Sequence, residues 1–352
     1  MSSYFRPSVD AMSGYVPGEQ PPPNVKVIKL NTNENPYLPS PKAVAVLQDF
    51  APELLRRYPN PMAQTFCEAA SAVLGIPSDW ILAGNGSDDL LTMLMRACSE
   101  PGRAVVYPMP TYVLYRTLAE IQGAETIEVP YPEDFTLPVE ALIEAQGAIT
   151  FIACPNSPSG TAIPLELLDK LAANLSGVLV IDEAYVDFAE TTALPLVKKY
   201  ENVIVLRTLS KGYSLAGLRF GFGVANPVLL EGLIKVKDSY NVDAIACAVA
   251  TAAIQDVEYK NASAQKVKVE RDRVTTALSK LGFEVLPSQA NFILATVPPQ
   301  HNAEAIYQNL KQQGIFVRYF KQPGLDNKLR ITIGTPDENS ALLDEVSLFL
   351  RK

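Results

Sequence analysis

Between residues 80 and 225 short apolar runs alternate with segments whose apolar positions recur every three or four residues. The runs are Trp80 to Ala83, Ala104 to Tyr107, Thr126 to Val129, Ile149 to Cys154, Val178 to Ile181, Val203 to Leu206 and Phe220 to Ala225. Between them the spacing predicts helices from Ser87, from Tyr112, near 138 to 145 and over 164 to 174. The runs are apolar at consecutive positions rather than at every second one, as strands must be when helices cover both faces of a sheet. This order predicts an α/β fold with a three-layer, mostly parallel sheet.

The flanks read differently. Residues 1 to 30 are proline-rich (Pro17, Pro21, Pro22, Pro23) and hold neither period, so an arm is expected, packed on the small domain or on a partner subunit. Asn31-Thr-Asn-Glu-Asn-Pro is polar and turn-forming, and Ser40-Pro41 then opens a helix with a cap residue and a first-turn proline. Arg57-Tyr58-Pro59-Asn60-Pro61 breaks the pattern, and an amphipathic helix follows over 62 to 74, ending at Gly75. Beyond Pro227 two helices are predicted over 228 to 237 and 243 to 280. Short strands at Phe283 to Leu286, Asn291 to Val297, Ile315 to Tyr319 and Leu329 to Ile333 follow, with helices over 302 to 313 and from about 337. The expected division is an arm (1–30), a large domain (31–240) and a smaller α+β domain (241–352).

Composition narrows the function without naming it. With 352 residues, 48% of them hydrophobic and 19% charged, the chain suits a soluble globular protein. A net charge of -8 supplies no basic footprint for nucleic acid and repels acidic membranes, so neither partner is expected. The four cysteines, Cys67, Cys98, Cys154 and Cys247, are widely spaced and read as buried thiols of a reducing cytoplasm. No signal core or membrane-length apolar run occurs. His301 is the only histidine and lies in a polar loop, so no metal site or Ser-His-Asp machinery is expected. Proton transfer falls to lysine, tyrosine or carboxylates.

The chemistry sits where strands end. Val203 to Leu206 leads to Ser210-Lys211-Gly212, which brings a lysine to the carboxyl edge of the sheet, where open α/β sheets bind ligands. Desolvation there lowers a lysine pKa and makes the amine nucleophilic toward an aldehyde. Arg219, between Gly217 and Gly221, is a fixed cation for a phosphate; taken alone, the stretch also reads as a surface lysine and a structural arginine. Gly84-Asn85-Gly86-Ser87-Asp88 precedes a helix whose free N–H groups suit an anion, although a glycine turn with a cap joins many βα units. Asn156 lies in a sharp turn, and Asp182-Glu183-Ala184-Tyr185 sets a carboxylate and a phenol at the end of another strand. A buried carboxylate is costly without a cation, and a pyridinium nitrogen or a lysine would serve. Tyr112, after the second run, offers a ring that can stack or simply pack into the core. Phosphate seat, lysine, carboxylate and phenol together are what pyridoxal 5′-phosphate requires.

These residues resemble the fold type I pyridoxal-phosphate aminotransferases over nearly the whole chain, and within them the histidinol-phosphate aminotransferases. The motifs are Tyr15-Val-Pro-Gly, Lys29-Leu-Asn-Thr-Asn-Glu-Asn-Pro-Tyr, Arg57-Tyr58-Pro59, Gly84-Asn-Gly-Ser-Asp and Asp182-Glu-Ala-Tyr. Thr208-Leu-Ser-Lys211, Gly217-Leu-Arg219, Ser288-Gln-Ala-Asn291-Phe, Val317-Arg318 and Leu329-Arg330-Ile-Thr-Ile-Gly complete them. The resemblance implies that Lys211 bonds the cofactor aldehyde, Asp182 pairs with the ring nitrogen, and Tyr185 and Asn156 bond the ring oxygen. It implies that Tyr112 stacks and that Ser87, Asp88, Ser210 and Arg219 hold the phosphate, with Tyr58 reaching across a homodimer. For substrate it implies Tyr15, Asn156, Arg318 and Arg330, with histidinol phosphate and glutamate or 2-oxoglutarate exchanging an amino group. A phospho-amino-acid decarboxylase, an aromatic aminotransferase and a non-catalytic cofactor-binding regulator remain alternatives. The departures are Asp89, where many relatives have Glu, and Ser157 and Ser159 in place of commoner Asn and Thr.

Overall fold

The computed structural model describes residues 4–14, 18–21, 25 and 27–351. In chain order they form α1 (Pro7–Ala11), β1 (Ile28–Lys29), α2 (Pro41–Gln48), α3 (Gln64–Leu74), β2 (Ile81–Gly84), α4 (Ser87–Cys98), β3 (Val105–Met109) and α5 (Leu114–Gln122). There follow β4 (Thr126–Pro130), α6 (Val139–Ala145), β5 (Ile149–Ala153), α7 (Leu165–Asn174), β6 (Val178–Asp182), α8 (Leu196–Lys199), β7 (Val203–Thr208), β8 (Gly221–Ala225) and α9 (Pro227–Val236). The chain ends with α10 (Ala244–Gln255), α11 (Val257–Lys280), β9 (Glu284–Val285), β10 (Phe292–Thr296), α12 (Ala303–Gln312), β11 (Ile315–Phe316), β12 (Arg318–Tyr319), β13 (Lys328–Thr332) and α13 (Pro336–Leu350).

Seven strands make one sheet in the order β2-β8-β7-β6-β5-β3-β4. Only β8 runs against its neighbours, pairing antiparallel with both β2 and β7. Along each strand alternate side chains enter opposite layers. Leu179 and Ile181 join the core under α3, α7 and α10, whereas Val180 joins the core under α4, α5 and α9. Val203 and Val205 likewise face one way, Ile204 and Leu206 the other. Burying each such side chain contributes roughly 1.5 to 3 kcal/mol, which is why the runs are apolar throughout. A second core lies between α11, α12 and α13 and the antiparallel sheet β12-β13-β10-β9.

The structure departs from the expected pattern at three places. The arm is not featureless: α1 packs on α5, and β1 pairs parallel with β11. The helix expected over 243 to 280 is two helices, broken at Asp256, whose carboxylate accepts from Ser40 Oγ and Lys42 Nζ. Val249, Ala250 and Ala253 of α10 enter the larger core. The strand expected over Ile315 to Tyr319 is split into β11 and β12, which join different sheets. All four cysteines are free, but only Cys67 is buried, its thiol pushed up to about 12 by desolvation. Among the described residues no helix is long and apolar enough to cross a membrane.

Candidate functional site

Parallel strands end on one edge, and there the chain leaves a cavity of about 640 Å³. Ser87, Asp88, Tyr112, Asp182, Tyr185, Ser210, Lys211, Arg219, Arg318 and Arg330 all line it. Asn156 does not. It is fully buried below the wall, where its Oδ1 accepts from Thr111 Oγ1 at 2.8 Å and its Nδ2 donates to Ser159 Oγ at 3.0 Å and Pro110 O at 3.3 Å. Tyr58 does not line it either; its side chain is exposed and stacks on Tyr240 at 4.5 Å. Tyr15 lies outside the described residues.

Lys211 reaches the cavity from the loop after β7, and its Nζ donates to Thr32 O at 3.3 Å. Desolvation, with the nearby Arg330 guanidinium second, lowers its pKa to about 8. Asp182 closes β6, flanked in the sheet by Ala153 and Leu206. Burial raises its pKa to about 6, against the pull of hydrogen bonds from Tyr115 Oη at 2.8 Å and the Ala184 N–H at 3.1 Å. The same burial raises Tyr185, whose hydroxyl accepts from Asn33 Nδ2 at 2.9 Å.

One wall of the cavity is built for an anion. Gly86 caps α4 with φ +80, a conformation that favours glycine, so the first N–H groups of the helix face the cavity mouth. A Cβ on Gly86 would lie 2.6 Å from Arg219 Nη2, and one on Gly221 would lie 2.5 Å from the Ser87 nitrogen. Arg219, itself left-handed at φ 58, donates to Ser210 Oγ and Ala216 O at 3.4 Å and to Asp88 Oδ2 at 3.3 Å. These contacts are long and partly exposed, the sort an arriving phosphate displaces.

Another part of the lining comes from the smaller sheet. Arg318 on β12 and Arg330 on β13 are direct cross-strand partners. Arg330 lies 5.2 Å from the Phe292 ring centroid and 5.6 Å from that of Phe320, and donates to Ser157 Oγ at 3.1 Å and Asn31 O at 3.0 Å. Two like charges opposed in this way repel unless an anion lies between them.

Several residues here were not singled out by pattern. Asn33 takes φ 57, accepts from Thr332 Oγ1 at 3.0 Å and holds Tyr185, so the polar Asn31–Asn35 stretch is the seam between the two cores. Thr111 and Tyr115 support Asn156 and Asp182 from below. Asn33 falls in one of the motifs that carry the resemblance, which gave it no role of its own; Tyr115 had no signal.

A mostly parallel sheet carrying a buried lysine, a buried carboxylate and an anion seat on one edge is the architecture of an aminotransferase. The family model for aminotransferase class I and II matches residues 25–346, and the chain belongs to that family. Within it the similarity is to histidinol-phosphate aminotransferases. The chain is 62% identical over 351 residues to histidinol-phosphate aminotransferase 1 of Trichormus variabilis, covering 100% of both chains. It is 48% identical to the histidinol-phosphate aminotransferase of Rhodopirellula baltica, over 96% of this chain and 94% of that one. The crystal structure of the Sinorhizobium meliloti histidinol-phosphate aminotransferase in complex with pyridoxal 5′-phosphate superposes with a TM-score of 0.90 at 26% identity, covering 100% of this chain and 98% of that one.

Proposed function

We infer that this chain is a pyridoxal-phosphate-dependent aminotransferase that exchanges the amino group of L-histidinol phosphate with 2-oxoglutarate, giving imidazole-acetol phosphate and L-glutamate in histidine biosynthesis. The observation that carries the substrate reading is the cross-strand pair Arg318 and Arg330, which the smaller sheet contributes to the cavity lining. A site with one anion seat for the cofactor and a second for the substrate suits a phosphate in one half-reaction and a carboxylate in the other.

The residues fit the cofactor. Asp182 is buried with a raised pKa, and a ring N–H supplies the positive charge that such a carboxylate needs. Gly86 and Gly221 leave the backbone bare where the phosphate would meet the N–H groups of Ser87 and Asp88. When bound, pyridoxal phosphate supplies the aldehyde that takes up the amino group and the electron-poor ring that weakens the neighbouring C–H bond.

The chain's own residues do the rest. Asp182 would hold the ring nitrogen protonated. Tyr185, kept from ionising by burial, would offer its hydroxyl to the ring oxygen; the family resemblance assigns Asn156 to the same oxygen, but here its side chain lies below the wall, bonded to Thr111, Ser159 and Pro110. Tyr112, which lines the cavity, would cover one face of the ring. With a pKa of about 8, roughly a tenth of Lys211 is neutral amine at pH 7, and its Nζ carries the proton taken from the substrate α-carbon. Arg330, clamped by Phe292 and Phe320, grips the substrate anion with Arg318 beside it, and Tyr15 is assigned to the same end.

Tyr58, with exposed Leu38, Leu47, Leu54 and Leu55 nearby in sequence, is assigned to a homodimer face, from which it reaches the phosphate of the partner's cofactor.

Arg330→Ala tests the substrate reading. KM for histidinol phosphate and for glutamate should each rise by about tenfold or more, with partial recovery in Arg330→Lys, since a point charge cannot make the bidentate contact. Unchanged KM values would remove the shared-anion reading, and CO2 release without an oxo-acid product would point to a decarboxylase.

A further inference from the structure

We propose that Tyr115 is a positioning residue for Asp182: its hydroxyl fixes the plane of the carboxylate that meets the cofactor ring nitrogen and couples that carboxylate to Tyr112, the aromatic assigned to the ring face. The proposal rests on the cofactor reading above and extends it to a residue that does not line the cavity.

The geometry leaves this hydroxyl one direction. Tyr115 is fully buried in the first turn of α5. Its ring stacks on Phe151 of β5 at 4.7 Å and 14°, and meets the Tyr112 ring edge-on at 5.6 Å and 87°, with Tyr107 at 6.2 Å. Packed on these sides, the ring cannot swing, and its Oη donates to Asp182 Oδ2 at 2.8 Å. The Ala184 N–H donates to Oδ1 at 3.1 Å. With one donor on each oxygen the carboxylate cannot rotate about its C–C bond, and the lone pairs left over have a fixed aim. Tyr112 lies in the turn just before α5 and Tyr115 in its first turn, and their edge-on ring contact joins the two, so a shift of either reaches both the ring face and the ring nitrogen.

Charge gives the same hydroxyl a second task. From α4, Asp88 pushes the Asp182 pKa up, and so does its chain neighbour Glu183, which is turned away and paired with Arg207 at 2.9 Å. The adjoining strands offer only Ala153 and Leu206, and Tyr185 on the following turn is neutral. Against burial and these two carboxylates, the Tyr115 hydrogen bond is the largest influence favouring the ionised form. Without it the carboxylate would hold its proton to higher pH and meet the ring nitrogen as a weaker partner.

The test is Tyr115→Phe, which keeps the ring and removes the hydroxyl, made in the wild-type and Asp182→Asn backgrounds. Because the folded pKa of Asp182 lies above its unfolded value, its contribution to the stability of the cofactor-free full chain is present below about pH 4 and is lost as pH rises through about 6. Loss of the donor moves the upper end of that window up by about one pH unit. Melting temperatures read from pH 5 to 8 should therefore show a difference between Tyr115→Phe and wild type that changes through pH 6 to 7. In the Asp182→Asn background the same difference should be flat. With pyridoxal phosphate bound, kcat should fall roughly tenfold with KM changed less than twofold. A pH-independent difference in the wild-type background, or an equal pH-dependent one with Asp182→Asn, overturns the proposal. Should Tyr115→Phe not fold, the ring-carbon NMR signal of Tyr115 in the wild type should titrate with Asp182 and cease to do so in Asp182→Asn; a signal indifferent to Asp182 is equally fatal. A wild type that failed to bind pyridoxal phosphate would remove the functional reading while leaving the stability comparison intact.

Discussion

Lys211 and Asp182 are pushed toward neutrality by the same burial, one downward to about 8 and the other upward to about 6. Near neutral pH the lysine is thus partly a free amine while the aspartate is largely charged, the combination needed to attack an aldehyde and to hold a ring proton. In cofactor-free protein the rate at which added pyridoxal phosphate is trapped by borohydride should climb as pH rises through about 8. The label should lie on Lys211 alone and vanish in Lys211→Ala; a label on another lysine, or a flat pH profile, contradicts the assignment. Both residues were legible in the sequence because each ends an apolar run, where a polar side chain must face the sheet's edge. Asn33 and Tyr115 were not, since their meaning lies in partners 152 and 67 residues away, and no local period registers such distances.

At the scale of elements, the β7–loop–β8 reversal and the start of α4 touch through bare backbone. Gly221→Ala would place a Cβ 2.5 Å from the Ser87 nitrogen and 2.7 Å from the Gly86 carbonyl carbon, atoms that cannot step aside without moving the anion seat. Overpacking of this kind costs about 1 to 3 kcal/mol. The expected outcome is a melting temperature lower by several degrees and cofactor affinity weakened by about tenfold or more, read by titration of the apoprotein; wild-type affinity would show the seat to be elsewhere. The strands and helices of the larger sheet were readable because the central strands are covered on both faces and the periods are clean; β4, at the edge, is mostly exposed. The Asp256 break was hidden because residues on both sides of it are helical, while the contacts made there come from Ser40 and Lys42, far away in the chain. The split of Ile315 to Tyr319 was hidden because a single apolar run carries no sign of which sheet each half will join.

For the whole molecule, a Tyr58 that serves the neighbouring subunit makes a sharp prediction. Mixing Lys211→Ala subunits with Tyr58→Ala subunits should restore activity, because a mixed dimer holds one site with both residues intact, roughly a quarter of the wild-type sites after random exchange. No recovery on mixing would place Tyr58 within its own subunit or outside the site. The sequence suggested a second, α+β unit beyond the long helices, but not that the stretch Asn31–Asn35 would lie at the seam, since its partners Tyr185, Asn291 and Thr332 are far away in the chain. The lone reversed strand, β8, has a wider consequence. It returns the chain to the edge that β7 has just left, and Leu209 N–H bonds Phe220 O at 3.0 Å to close the loop. Lys211 and Arg219 therefore ride on one loop whose two ends are tied together in the larger sheet. Arg318 and Arg330 belong to the smaller sheet. On the site reading proposed above, substitutions around Arg318 and Arg330 would change the preference for the amino donor while leaving the spacing of Lys211 and Arg219 untouched.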